Sequence, residues 1–215
     1  MQVRERRLGL RIPKKGGDMI KNIVFDMGNV LLRYDPEVPL ALFCRTPEEK
    51  EAVRTELFGG QEWVAGDLGT MTQEEKYESI KKRIPEEMHT SLRRCVYEWS
   101  VCMKPISGAF SFCEYAKKKG YRLFVLSNAS SEFYEYFPEF APLSYFDGIV
   151  VSSDIHIIKP EEGIYRYLLD TYGLLPGECL FIDDMEANVK ASRRMGMQGE
   201  VFCGDFEPIR EKYGI

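Results

Sequence analysis

The apolar positions of the chain fall into short, nearly continuous runs, separated by longer segments of mixed polarity. Such runs are typical of strands that are buried on both faces of a parallel sheet. Five of them occupy residues 23–25, 122–126, 148–151, 179–182 and 200–202. They predict a buried sheet of five strands.

Amphipathic segments between these runs predict helices. In residues 106–119, 161–172 and 184–195, apolar side chains recur at helical spacing, and a glycine that suits a helix end follows each segment. Strands that alternate with helices imply a parallel sheet with helices on both faces. The pattern therefore predicts the α/β class, with a Rossmann-like parallel sheet core.

One part of the chain departs from this alternation. Residues 36–103 contain no convincing strand, and the segments 47–57, 72–83 and 85–99 have helical patterns. Thr72 and Glu75 have the spacing of a capping box. We predict an all-helical insertion at 36–103, flanked by core segments 19–35 and 104–215. The alternative is that these helices are simply part of one globule.

Composition sets limits on the class of protein. The 215 residues are 44% hydrophobic and 13% aromatic, so the chain can build a substantial core, and the net charge of −5 argues against a general nucleic-acid binder. No apolar run approaches the roughly 20 residues that span a membrane. The six cysteines and two histidines lack the spacing of a zinc site, which predicts reduced thiols in a cytoplasmic protein. We expect a monomer or weak homodimer.

The first eighteen residues are basic but lack the apolar region of a signal peptide. Residues 1–18 are either a flexible basic arm or an extension upstream of a start at Met19. We favour the second interpretation, because the fold pattern begins directly after Met19.

Reactive side chains follow the predicted strands at the edge where parallel sheets bind ligands. Singly, each of these residues suits an ordinary cap or turn. Together they form an ordered set in which every member follows a different strand. In chain order the set is Asp26, Ser127 with Asn128, Lys159, and Asp183 with Asp184.

Phosphoryl transfer is the chemistry that uses such a set. Three neighbouring carboxylates repel one another, and carboxylate and carbonyl oxygens select Mg²⁺. A carboxylate can also attack phosphorus and form an aspartyl-phosphate. A lysine, a serine hydroxyl and backbone N–H groups can then hold the phosphoryl oxygens as charge redistributes.

Four sequence motifs resemble those of the haloacid dehalogenase-like hydrolase superfamily. They are "FDMGNVL" from Phe25, "LSNAS" from Leu126, "IKPEEGIY" from Ile158 and "FIDDMEAN" from Phe181. The first motif and the helical insertion most resemble the bacterial sugar-phosphate phosphatases acting on glucose 1-phosphate, close to the phosphatase domain of epoxide hydrolases. The resemblance implies a Mg²⁺-dependent phosphatase of small phosphorylated metabolites, with residues 36–103 as a helical cap.

The resemblance also implies residue roles. Asp26 would be the nucleophile and a Mg²⁺ ligand, and Lys159 would neutralise it and the phosphate. Ser127 and the backbone of Asn128 would bind the phosphoryl group. Asp183 and Asp184 would hold Mg²⁺ together with the carbonyl of Gly28, and we favour Asp184 as the direct ligand.

Gly28 departs from the family pattern, in which a second Asp commonly stands two residues after the nucleophile and acts as general acid and base. Three explanations remain open. In the first, an acid of the cap, Glu62 or Asp67, or a bound water replaces the missing carboxyl. In the second, the substrate needs little protonation, as an anomeric phosphate would. In the third, the protein is a weak catalyst or a non-catalytic Mg²⁺- and phosphate-binding regulator. A 2-haloacid dehalogenase also lacks this Asp, but it would leave the Asp183–Asp184 pair unexplained.

Overall fold

The computed structural model describes residues 19–215, and its centre is a five-stranded parallel sheet. The predicted N-terminal extension, 1–18, lies outside the described residues. In chain order the strands are β1 Asn22–Phe25, β2 Leu32–Arg33, β3 Lys104–Pro105, β4 Arg122–Ser127, β5 Gly148–Val151, β6 Cys179–Asp183 and β7 Gln198–Val201. The main sheet has the order β5-β4-β1-β6-β7, which confirms the predicted α/β class.

Eleven α-helices accompany the strands within residues 19–215. They are α1 Glu37–Phe43, α2 Pro47–Val53, α3 Gln61–Asp67, α4 Gln73–Ile80, α5 His89–Glu98, α6 Ala109–Lys118, α7 Phe133–Tyr136, α8 Ser152–Ile155, α9 Glu162–Tyr172, α10 Glu186–Arg194 and α11 Glu207–Tyr213. None of the helices in this range combines the length and apolar character needed to cross a bilayer.

Both faces of the main sheet are covered by helices, which explains the continuous apolar runs. In β1, Ile23 and Phe25 join a cluster with residues of α6 and α11, while Val24 joins a cluster with residues of α9 and α10. All three side chains are fully buried. Since burying one such side chain contributes roughly 1.5–3 kcal/mol, the strands are held from both sides.

The helical cap has a hydrophobic cluster of its own. Leu40, Val53, Leu57, Ile80 and Leu92 are fully buried in it, and Phe43, Phe58 and Tyr77 belong to or pack against it. The antiparallel pair β2–β3 connects the two ends of this segment to the core. The domain boundaries at 35/36 and 103/104 stay a prediction.

Several helix boundaries differ from the predicted ones for local reasons. The first core helix begins at Ala109 rather than at residue 106, because Gly108 adopts φ +80° and Ile106 donates its N–H to Leu31 O at 2.9 Å. The segment predicted at 47–57 is an α-helix only to Val53 and continues as a π-helical turn, Arg54–Phe58. The capping box is present, with Glu75 N donating to Thr72 Oγ1 at 3.2 Å.

Candidate active site

The carboxyl ends of β1 and β6 bring three carboxylates together. Asp26 directly follows β1, and its N–H donates to Ile182 O at 2.8 Å, which keeps it level with the end of β6. Asp183 ends β6 and Asp184 follows it. Oxygens of Asp26, Asp183 and Asp184 lie within 4.8 Å of one another. These oxygens could hold one hard divalent cation.

Lys159 lies between two of these acids. Its Nζ is 2.7 Å from Asp26 Oδ1 and 2.8 Å from Asp183 Oδ2, and its side chain is 2% exposed. Asn128 fixes the lysine backbone, since its Nδ2 donates to Lys159 O at 3.0 Å and its Oδ1 accepts from Lys159 N at 2.8 Å. The predicted lysine therefore reaches the strand ends from the loop before α9.

Asp183 is saturated with hydrogen bonds. Its Oδ1 accepts from the N–H of Met185 at 2.8 Å and from Asn188 Nδ2 at 3.0 Å, and its Oδ2 accepts from Asn188 Nδ2 at 3.0 Å and from Lys159. A carboxylate offers about four lone-pair positions. Asp183 thus has little free capacity for a cation, whereas Asp184 is only partly buried and lines the neighbouring cavity.

Burial and mutual repulsion act on the ionisation of this group. Burial raises the pKa of Asp26 to about 7, against the lowering effect of Lys159, and Asp183 adds to the rise. Burial followed by the charge of Asp183 raises the pKa of Asp184. Burial alone lowers the pKa of Lys159, but Asp26 and Asp183 outweigh it, so its net pKa is raised. The site has three acids for one buried lysine, and a divalent cation suits that charge balance.

Ser127 and Gly28 lie beside this group. The Ser127 hydroxyl is 1% exposed and has no hydrogen-bond partner among the described residues. Leaving a buried hydroxyl without a hydrogen-bond partner costs free energy. The Ser127 hydroxyl is therefore suited to donate a hydrogen bond to an anion bound at the strand ends. Gly28 lines the cavity, and a Cβ there would meet only Asp26 Oδ2, at 4.0 Å. A larger side chain would therefore fit at position 28 without a close contact.

The strand ends open into a cavity of about 200 Å³. Core and helical cap both contribute to it. Its polar side includes Asp26, Gly28, Asn128, Lys159 and Asp184. The cavity therefore unites most of the predicted site residues.

Four aromatic rings also line the cavity, and we call them the aromatic wall: Tyr34, Trp63, Trp99 and Tyr136. Ring centroids are 5.2 Å apart for Trp63–Trp99 and for Trp99–Tyr136, and 5.8 Å apart for Tyr34–Trp63. Trp63 thus packs against other rings and also lines the cavity.

The two acids proposed from the cap have different positions. Asp67, at the end of α3, lines the cavity, and burial raises its pKa to about 7. Glu62 is bound elsewhere: its Oε1 accepts from Ser79 Oγ at 2.8 Å and from Arg83 Nη1 at 2.6 Å. The hydrogen bond from Arg83 lowers the pKa of Glu62. The prediction that Glu62 replaces the missing acid is therefore wrong, because Arg83 and Ser79 bind its carboxylate in a separate hydrogen-bond network.

Sequence reasoning missed several contributors to the site. Asn188 could have been found from its spacing, since it stands five positions after Asp183, in the first turn of α10, and donates to its carboxylate. Asn29 has a positive φ of 55°, and its Oδ1 accepts from Tyr34 N at 3.1 Å. The sequence indicates only that this amide cannot replace an acid. Trp99 and Tyr136 carry no sequence signal, because their inward direction depends on how the helices pack.

The fold is of the α/β class, and its candidate site is a cavity at the carboxyl ends of parallel strands, where α/β proteins bind ligands. The model of the haloacid dehalogenase-like hydrolases matches residues 20–196, and the chain belongs to this family. The predicted family is thereby confirmed.

Two curated relatives have phosphatase or epoxide hydrolase names. Bifunctional epoxide hydrolase 2 of Mus musculus is 45% identical over 53 residues, which cover 25% of this chain and 10% of that protein. The match thus spans about a tenth of the relative's length. The D-ribitol-5-phosphate phosphatase of Bacteroides thetaiotaomicron is 24% identical over 196 residues, covering 84% of this chain and 90% of the relative.

A similar solved structure is HAD family enzyme bt-2542 of Bacteroides thetaiotaomicron, in complex with magnesium and inorganic phosphate. It has a TM-score of 0.69 and 21% identity, and the match covers 88% of this chain and 98% of the other. At this identity the likeness establishes the fold.

Proposed function

We propose that the protein is a Mg²⁺-dependent phosphatase of small phosphorylated metabolites, which acts through an aspartyl-phosphate on Asp26. The observation that carries this proposal is the convergence of Asp26, Lys159 and Asp184 on one cavity. The names of relatives add support, since one is a phosphatase and one structural neighbour holds magnesium and inorganic phosphate.

The donor set fits Mg²⁺. Asp26, Asp184 and the carbonyl of Gly28 would hold it, with Asp183 acting mainly to orient Lys159 and the first turn of α10. Three carboxylates outnumber the single buried lysine, and oxygen donors suit a hard cation. When bound, Mg²⁺ would stabilise negative charge on the phosphoryl oxygens.

Asp26 is the proposed nucleophile, because one of its oxygens is tied to Lys159 and the side chain faces the cavity. Its free oxygen attacks phosphorus while the bond to the leaving oxygen breaks. Lys159 offers a fixed positive charge to Asp26 and the transferring group. Ser127 Oγ and the backbone N–H of Asn128 would bind phosphoryl oxygens. Water then cleaves the aspartyl-phosphate and restores the carboxylate.

Sugar phosphates such as glucose 1-phosphate are the substrates that we propose first. The aromatic wall lines the same cavity as the charged strand ends, and ring faces can pack against the apolar surface of a sugar. The cavity of about 200 Å³ favours a small leaving group.

A non-catalytic regulator is the second candidate, and Gly28 favours it because the family's usual acid is missing there. An assay with p-nitrophenyl phosphate distinguishes the phosphatase from the regulator, because the good leaving group of this substrate needs no protonation. The phosphatase releases phosphate with Mg²⁺ and loses this activity with a chelator. A folded protein without activity on this substrate supports the regulator.

Asp26→Asn tests the mechanism directly. We expect turnover to fall by on the order of 10⁴-fold or more, because the nucleophile is removed while the shape is kept. The matched control is Asp170→Asn, an exposed acid in the last turn of α9, which should keep wild-type activity. Undiminished phosphate release by Asp26→Asn refutes the mechanism.

A further inference from the structure

The site at the strand ends lacks a proton donor for the leaving group. The acids that line the cavity within residues 19–215 are Asp26, Asp67 and Asp184. In the proposed function Asp26 attacks phosphorus and Asp184 holds the cation. Lys159 is committed to two ion pairs. Asp67 is the remaining acid.

The end of α3 is fixed against the core, so Asp67 has a defined position. Ser152 Oγ, itself fully buried, donates to Asp67 O at 2.5 Å, and His156 Nδ1 lies 2.7 Å from Leu68 O. Gly69 has φ +68°, and a Cβ there would lie 2.3 Å from Ser153 O. This close approach requires glycine and joins the cap to α8, the helix that follows β5.

We propose that Asp67 is the general acid and base of the reaction, and that it replaces from the cap the carboxyl that Gly28 omits. This proposal rests on the proposed phosphatase function and assigns a further catalytic residue to it. The acid would approach from the aromatic wall, on the leaving-group side of the cavity, whereas Gly28 lies on the strand-end side.

The surroundings suit a group that exchanges protons near neutral pH. Burial raises the pKa of Asp67 to about 7. Among the neighbouring charges, those of Lys76 and Lys159 lower this pKa and that of Glu132 raises it. Tyr34 and Tyr136 also line the cavity, and burial raises the pKa of both hydroxyls well above the usual range. Catalysis by acid and base is most efficient when the pKa lies near the working pH.

The proton balance is complete with this chain's residues and water. When Asp26 attacks phosphorus, the breaking bond leaves its electron pair on the leaving oxygen, which takes the proton of Asp67. The Asp67 carboxylate then accepts a proton from the water that attacks the aspartyl-phosphate. Inorganic phosphate leaves, Asp26 is a carboxylate again and Asp67 is reprotonated.

The experiment compares two substrates in the Mg²⁺-loaded protein. Asp67→Asn keeps the size of the side chain but carries no transferable proton. On a small alkyl phosphate such as glycerol phosphate, we expect kcat/KM, which reports the steps up to departure of the leaving group, to fall by about 10²–10⁴-fold. On p-nitrophenyl phosphate we expect kcat/KM to change by less than about threefold, since that leaving group departs without a proton, whereas kcat falls on both substrates because the water step loses its base. Glu62→Gln, which alters the other acid of α3, should leave the ratio of the two activities unchanged.

A second measurement uses the wild-type protein. The ratio of the alkyl to the aryl kcat/KM should fall as the pH rises through about 7, because Asp67 loses its proton, while effects on Asp26 act on both substrates and cancel. Gly28→Asp, placed in the Asp67→Asn background, should restore part of the alkyl activity.

The outcomes separate this inference from the proposed function. Equal alkyl activity in Asp67→Asn and wild type overturns the assignment of Asp67 while the phosphatase stands. Equal losses of kcat/KM on both substrates also overturn it, since they indicate a general disturbance rather than a missing proton. No activity of the wild type on either substrate overturns the proposed function itself.

Discussion

The two walls of the cavity are built in different ways. At the strand ends, Asp26, Asp183 and Lys159 sit on or beside a buried sheet, and short hydrogen bonds fix each of them. The aromatic wall takes its rings from the cap, from the segment after β2 and from α7, and its members pack against one another without a shared hydrogen-bond network. The first wall is rigid and charged, and the second is apolar and depends on helix packing.

This difference suggests a division of labour. The strand-end wall would bind the phosphoryl group and perform the chemistry common to the family. The aromatic wall, with Asp67 close to Tyr34 and Tyr136, would select and protonate the leaving group. Changes in the two walls should therefore have separable effects.

The largest effect is expected from Lys159→Met at the strand ends. Removing this cation leaves Asp26 and Asp183 buried without their partner, and breaking such a pair typically costs about 3–5 kcal/mol of unfolding free energy. Phosphatase turnover should fall steeply as well. Urea unfolding in the presence of a chelator measures the stability.

The matched control for this variant is Lys190→Met. Lys190 pairs with Glu186 on the surface of α10, and exposed pairs of this kind contribute about 0.3–0.5 kcal/mol. If both variants lose the same small amount of stability, the strand-end wall is not held by its buried ion pairs.

A smaller effect is expected from Trp63→Ala in the aromatic wall. The side chain is partly buried, so we expect a loss of about 2–3 kcal/mol, less than for a fully buried tryptophan. KM should rise, while inhibition by inorganic phosphate should stay unchanged because the strand ends are intact. Tyr167→Ala removes an exposed ring of α9 and is the control. Weaker inhibition by phosphate in Trp63→Ala would contradict the division between the walls.

Asn128→Ala tests how the lysine is held. The variant loses two hydrogen bonds to the backbone of Lys159, worth about 1–2 kcal/mol together. Turnover should fall because the lysine is less well placed, and kcat should change more than KM for the phosphate ester. Unchanged kcat would show that Lys159 is positioned by its ion pairs alone.

The smallest effect concerns pH and Asp67. Its pKa of about 7 in the folded protein exceeds the ordinary 3.8, so the folded state binds more protons between these values and loses stability as the pH rises. The Asp67→Asn variant does not lose stability in this way, because its amide does not titrate. Between pH 6 and pH 7 the unfolding free energy of the variant should therefore rise by about 1 kcal/mol relative to that of the wild type, or by about 2–4 °C in Tm. Thermal unfolding at both pH values measures it, and a constant difference would contradict the raised pKa.

The strand-end wall is predictable from the sequence for a physical reason. A side chain that follows a buried strand has its position set by the sheet, so the order of strands and acids along the chain is enough to place Asp26 and Asp183 together. The edge strand β7 is less predictable, since it begins at Gln198 rather than at residue 200. It opens with Gln198 and Gly199, which carry no large apolar side chain, so the start of the strand gives no hydrophobic signal.

The aromatic wall is not predictable in the same way. Helical periodicity indicates which face of a helix is apolar, but not where that face points after the helices have packed. Trp99 and Tyr136 therefore give no signal in the sequence, and Glu62 and Asp67 are equal candidates there. The contact of Glu62 with Arg83 and the contact of α3 with Ser152 separate the two acids.

The central claim is that Asp26 carries the phosphoryl group, and trapping that intermediate tests it most directly. The Mg²⁺-loaded protein is mixed with p-nitrophenyl phosphate, quenched in acid within one turnover and mapped by peptide mass spectrometry. The account predicts one phosphoryl group on the peptide that contains Asp26, and none in Asp26→Asn. Turnover with the phosphoryl group on another residue, or with no phosphorylated peptide at any quench time, would contradict it.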